Sequence, residues 1–183
     1  QNETEFELLV FNYPNEASSW TRYMHYLAAE RTAVDKARAV AERALRTMTS
    51  LDGNSRFVVS VAYLDLEIDQ LSKDRSEDAE RRFGALFERC LLQRAKAVFA
   101  HVCGRLRSMG MFELAEKTAK KFVKDFPHDH ESWFEIVATR FQQKRFPIVK
   151  ETMTNAMRVL KACDYVSLQI RLARMEIEGG QAG

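Results

Sequence analysis

Near its start the chain reads Tyr13-Pro14-Asn15-Glu16-Ala17-Ser18-Ser19-Trp20, and in its second half Phe126-Pro127-His128-Asp129-His130-Glu131-Ser132-Trp133. In both phrases a serine stands five places after the proline and a tryptophan six places after it. Proline has no amide hydrogen to give to a helical turn, so each aromatic-proline pair closes one helix. Polar residues that follow, Asn15 and Ser18 in the first copy and His128 and Asp129 in the second, supply the start of the next helix. The tryptophan then falls inside that new helix. A phrase written twice is an internal repeat, and a repeat governs the reading of everything else.

Working outward, the remaining chain follows the same ruler. First-helix positions Trp20, Ser60, Phe99, Trp133 and Gln169 lie 40, 39, 34 and 36 residues apart. Between them run apolar-periodic second helices, such as Ala37-Arg38-Ala39-Val40 continuing through Ala44 and Leu45. That period belongs to helix-turn-helix solenoids of the tetratricopeptide kind, and no β-type alternation competes with it. The expected fold is all-α, a right-handed α-α superhelix with about four repeats and partial repeats at both ends. Residues 1–183 read as one repeat domain: a repeat tail over 5–13, repeats over about 15–49, 55–92, 95–126 and 129–161, and a partial repeat over 164–179. The chain opens on Gln1, and both edges read as cut from a longer protein. The polar stretch from Gln70 to Glu80 is expected to form a mobile loop that lengthens the second repeat.

A single helix pair cannot cover its own apolar face, so stacked neighbours must supply the core. Large rings at one position and small residues at the facing one suit such stacking. Trp20, Tyr23, Tyr63, Phe99 and Trp133 are the expected rings, and Ala37 and Ala44 the expected small partners, with Cys90 at the place of Ala44 in the next repeat. Seven glycines and three prolines in 183 residues agree with a soluble helical domain. No apolar run approaches the ~20 residues of a membrane span, and no secretory leader is visible.

Catalytic and metal chemistry find little support. Cys90, Cys103 and Cys163 are odd in number and match neither a zinc pattern nor a disulfide framework, which points to a reducing, intracellular compartment. His25, His101, His128 and His130 stand in no zinc helix. Within His128-Asp129-His130 the aspartate is a natural helix cap, and a two-histidine metal site would lack further ligands. Gly104 and Gly110 are isolated, so no phosphate loop exists. Glu77 with Asp78, and Glu113 with Glu116, read as solvated helix-terminal charge. No catalytic residue, metal or cofactor is expected.

Charge is locally suggestive, although the net value is only +2. Lys117, Lys120, Lys121 and Lys124 recur at helical spacing, which sets four ammonium groups on one face. Arg140, Lys144, Arg145 and Lys150 form a second basic set around the turn that contains Pro147. If the two faces adjoin, they make a patch able to meet phosphates or an acidic partner; otherwise they are ordinary solvated surface.

The phrase Ser19-Trp20-Thr21-Arg22-Tyr23-Met24, followed by Asp35-Lys36-Ala37-Arg38-Ala39-Val40-Ala41-Glu42-Arg43-Ala44-Leu45, resembles the half-a-TPR (HAT) repeats of a known family. That family is the nucleolar ribosomal-RNA-processing protein five, also called programmed cell death protein eleven, and the repeats lie at its C-terminus. Leu64-Asp65-Leu66-Glu67 and Leu86-Phe87-Glu88-Arg89 carry the resemblance into the second repeat. Departures are Ser60 in place of a tryptophan, and Lys120-Lys121 in place of Glu-Arg. The resemblance implies a nucleolar, nuclear protein in which many OB-fold RNA-binding domains precede this region. It also implies a non-catalytic scaffold in pre-rRNA processing and small-subunit processome assembly. The implied partners are pre-ribosomal assembly proteins, with pre-rRNA or snoRNA met directly or through the OB-fold domains, and no membrane. Glu42 and Arg43 would stabilise the repeat. HAT patterning is also shared by scaffolds of pre-mRNA splicing and 3′-end processing, and direct RNA binding by the basic faces is a further alternative. A peptide-binding co-chaperone would need an Asn/Lys/Arg carboxylate clamp, which the sequence does not assemble.

Overall fold

The computed structural model describes residues 2–30, 33–48 and 53–180, with side chains through Ile177. Regular structure among the described residues is entirely helical: α1 (Glu3–Asn12), α2 (Ala17–Ala29), α3 (Val34–Thr47), α4 (Gly53–Lys73), α5 (Glu77–Ser108), α6 (Phe112–Asp125), α7 (His130–Gln142), α8 (Phe146–Val159) and α9 (Ala162–Gly180). The helical-repeat reading of the fold therefore holds. The chain divides into two compact units, residues 1–94 and 95–183. The division falls inside α5, where Arg94 leaves helical geometry at φ −135° and ψ 67°.

Unit one is built on α2, which packs against α1, α3 and α4. In α3 the buried residues Ala37, Val40, Ala41, Ala44 and Leu45 recur at helical spacing and form one apolar stripe. Alanines at the contact let the neighbouring helices approach, and rings fill the remaining volume. Trp20 and Tyr23 are almost fully covered, and Tyr23 stacks on Phe6 of α1 at 5.3 Å between ring centres. The Tyr23 hydroxyl donates to Glu7 at 2.7 Å, so its polar end is not left unpaired. Tyr63 and Cys90 are also buried here.

Unit two repeats the scheme. Ala115, Thr118, Ala119 and Phe122 form the buried stripe of α6, and α7 packs against α6, α8 and α9. Phe99 stacks on Phe122 at 4.8 Å. Trp133, Val137, Ala156 and Leu168 sit in one core cluster with Cys103.

The twice-written phrase has one physical explanation in both units. The Trp20 indole N–H donates to the Pro14 carbonyl at 2.8 Å, and that of Trp133 to Pro127 at 2.7 Å. Six residues is the spacing that brings a ring in the first turns of a helix back over the proline that precedes it. The start signals fall elsewhere in one copy. Asp129 caps α7 by accepting from the Glu131 amide at 2.9 Å, whereas α2 begins at Glu16 without a side-chain cap, and Ser18 donates to the Glu16 carboxylate.

The expected loop over Gln70 to Glu80 is a correction. Helix α4 continues through Lys73, and α5 begins at Glu77, which leaves only 74–76 between them. Leu71 and Ala79 are buried, so both helix ends are drawn into the core. Asp74 accepts from Ser76, and the Ser76 hydroxyl accepts from the Ala79 amide, so two polar side chains replace a long loop.

Candidate functional site

Charged side chains do two different jobs. In unit one they join helices. Glu67 of α4 is buried, and Arg38 of α3 grips it with two hydrogen bonds of 2.7 and 3.1 Å. Arg43 of α3 reaches back to Glu7 of α1 at 2.9 Å, and Arg89 of α5 reaches back to Glu42 of α3 at 2.7 Å. Glu42 and Arg43, adjacent in sequence, thus bond in opposite directions along the stack. An open groove lined by Glu42, Tyr63, Glu67, Arg82 and Arg89 lies between these helices. Its glutamates are already engaged by arginines, so it offers a ligand little unpaired charge.

In unit two the charges converge on Glu116. Sequence places Glu116 beside Glu113 as a solvated acid, but the structure buries it. Arg140 of α7 donates to its Oε1 at 2.9 Å, Lys120 lies 3.2 Å from the same oxygen, and Arg145 in the α7–α8 turn donates to Oε2 at 2.7 Å. Burial alone would raise the Glu116 pKa, but Arg140 and Lys120 outweigh it and hold the carboxyl below its ordinary range. Three cations around one ionised carboxylate leave an excess of positive charge. Lys120 of the first basic set thus meets Arg140 and Arg145 of the second, with Glu116 as the joint.

Members of those sets differ in access. Lys117, Lys120 and Lys124 of α6 are exposed and Lys121 is half-buried. Lys144, Arg145 and Lys150 are exposed. Arg140 is turned inward, with its guanidinium shared between Glu116 and the Thr152 hydroxyl, and its role is to join α6, α7 and α8. Lys144 has a left-handed backbone at φ 59°. Its amide donates to Phe141 and that of Arg145 to Arg140, the pattern that closes a helix with a left-handed residue. Gly110 holds the same place after α5, at φ 71°, with the equivalent bonds from Gly110 to Arg107 and from Met111 to Leu106. Phe146, which sequence reading did not single out, is half-exposed at this corner and leans edge-on against Phe141 at 5.6 Å. The available signal was a third aromatic-proline pair, Phe146-Pro147, which here begins a helix.

Other paired titratable groups tie helices together. Arg107 bonds Glu135 at 2.6 Å, and Lys96 pairs with Asp129, the cap of α7. Burial raises the Glu135 pKa, and it pushes the Cys90 thiol up to about 11. A thiol so raised stays protonated and is a poor nucleophile or ligand. Among the described residues no group of three or more His, Cys, Asp and Glu is arranged to hold a metal ion. No helix among them is long and apolar enough to cross a membrane.

No protein-family model matches the chain. Curated proteins similar to it include the rRNA biogenesis protein RRP5 of Arabidopsis thaliana, 25% identical over 183 residues, which are 100% of this chain and 9% of that protein. The protein RRP5 homolog of Homo sapiens is also 25% identical over 183 residues, again 9% of its length. The rRNA biogenesis protein rrp5 of Schizosaccharomyces pombe is 22% identical over 176 residues, 96% of this chain and 10% of that protein. The resemblance to this family thus extends from the quoted repeats to the whole chain, which spans about a tenth of the length of these relatives.

Proposed function

We propose, from the end-to-end similarity to RRP5 proteins of plant, animal and fungus, that this chain is a helical-repeat adaptor in ribosome biogenesis. In this reading residues 1–183 work as one repeat domain, from the C-terminal repeat region of a nucleolar protein of that kind. The domain has no chemistry of its own. It presents helix faces to assembly proteins of the small-subunit processome during pre-rRNA maturation. Pre-rRNA or snoRNA reaches it directly or through OB-fold domains elsewhere in the longer protein. The physical support is that the helix packing is held by covered rings and inter-helix ion pairs, which leaves outer helix faces to meet partners.

The test is purification of the tagged full-length protein after crosslinking in cells, with identification of what is attached within this segment. Small-subunit assembly factors are the expected crosslinks. Splicing or polyadenylation factors in their place would retain the repeat fold and overturn the ribosomal reading.

A further inference from the structure

We infer that the α7–α8 corner of unit two binds single-stranded RNA, with Phe146 as a stacking platform for a base and with Lys144, Arg145, Lys150 and Lys120 on the flanking phosphates. Four observations converge there. First, the stretch from Arg140 to Lys150 carries four cations and no carboxylate. Second, Glu116 draws Lys120 of α6 to the same place as Arg145, at 3.2 and 2.7 Å, so the positive field is assembled from separate helices. Third, Phe146 is 54% exposed although it lies between these cations in sequence, and Lys150 follows it by one helical turn on the same face. Fourth, Lys144 occupies a left-handed position that its counterpart Gly110 fills without strain. A lysine standing where glycine is cheaper is consistent with use of its charge.

An exposed aromatic ring among cations distinguishes RNA from an acidic peptide. Every base offers a π-face for stacking, and a single strand can present base and phosphate together. A carboxylate-rich peptide would use the cations and leave the ring idle. Rigid double-stranded RNA keeps its bases stacked on one another and would not reach the ring. This inference goes beyond the adaptor reading, and the two fail separately: an adaptor that never touches RNA would still crosslink to assembly proteins.

The experiment measures fluorescence anisotropy of a labelled twelve-nucleotide uridine RNA with the 1–183 chain, beside a duplex RNA of equal length and a glutamate-rich peptide. The single strand is expected to bind best, with log affinity falling against log salt at a slope of about −2 to −3 for three or four phosphates. Phe146→Leu, which keeps apolar contact with Phe141, is expected to weaken binding on the order of tenfold through lost stacking. Lys150→Glu, at an exposed position of α8, is expected to weaken it and flatten the salt slope, with helicity unchanged by circular dichroism. Equal binding by wild type and Phe146→Leu, or tighter binding of duplex or peptide than of the single strand, would overturn the inference. So would absence of RNA binding at low salt, and so would a Lys150→Glu variant that binds and responds to salt as wild type does.

Discussion

Trp133 shows how much one side chain does in this fold, since it both fills the core and ties the proline turn to the helix that follows. Trp133→Phe keeps most of the ring and removes the bond to Pro127. That should cost roughly 0.5–1.5 kcal/mol, the net worth of a hydrogen bond whose carbonyl is only partly buried. Trp133→Ala should cost roughly 3–5 kcal/mol, because the cavity is added to the lost contact. Denaturant unfolding of the two variants separates the terms, and equal losses would mean that the hydrogen bond alone matters. Lys144 gives a prediction of opposite sign. Its left-handed backbone costs roughly 1–2 kcal/mol, and a glycine brings an unfolded-chain entropy cost of roughly 0.5–1 kcal/mol. Lys144→Gly should therefore stabilise the protein on the order of 0.5 kcal/mol, read as a raised melting temperature. A lowered one would show that the lysine side chain contributes to the fold. The tryptophans are legible in the sequence because their spacing repeats. Lys144 is not, because a turn that accepts a non-glycine in the left-handed region leaves no compositional mark.

At the scale of elements, helices are joined by buried carboxylates gripped by arginine. Arg38 and Glu67 link α3 to α4 with side chains 19% and 3% exposed, whereas Asp78 and Arg81 pair on the open surface of α5. Removing one partner of a buried pair costs roughly 3–5 kcal/mol when the other is stranded. Because Arg38 keeps its bond to Asp35 at 2.7 Å, the loss should fall at the lower end of that range. Glu67→Ala should thus destabilise the chain severely, while Asp78→Ala should change stability by about 0.5 kcal/mol or less. A double-mutant cycle on Arg38 and Glu67 measures the coupling directly, and a coupling near zero would assign the loss to packing. The connection over 74–76 belongs to this scale as well. Ser76→Ala removes the hydroxyl that accepts from Ala79 and should cost about 1 kcal/mol. Polar composition over Gln70 to Glu80 suggested a loop, because most of its residues face solvent even in helices. Tertiary burial of Leu71 and Ala79 outweighs that tendency.

For the whole molecule, charge state ties stability to pH. The Arg43 guanidinium and the Tyr23 hydroxyl hold Glu7 below its ordinary range. Burial would raise Asp129, but Lys96 and the Glu131 amide outweigh it and hold Asp129 low. Glu116 is lowered too. A carboxyl lowered on folding contributes stability above its unfolded pKa and loses it as pH falls through the folded one. Glu135, raised by burial, works the other way and gives up stability as pH rises above the unfolded value. With three such groups against one among the described residues, the melting temperature should fall as pH drops below about 4, the ordinary carboxylate range. Glu116→Gln should soften that fall, and a flat profile between pH 7 and 3 would contradict the assigned shifts. Sequence by itself determined the all-α repeat, its rings and its small facing residues. These follow from helical spacing and from where proline can stand, which are local properties written in the order of residues. Only the tertiary structure decided that Glu116 is buried, that Arg140 faces inward, and that Phe146 stands open among cations. Those outcomes depend on which helix covers which, and a residue's neighbours across a stack are set by packing between segments rather than by its own place in the chain.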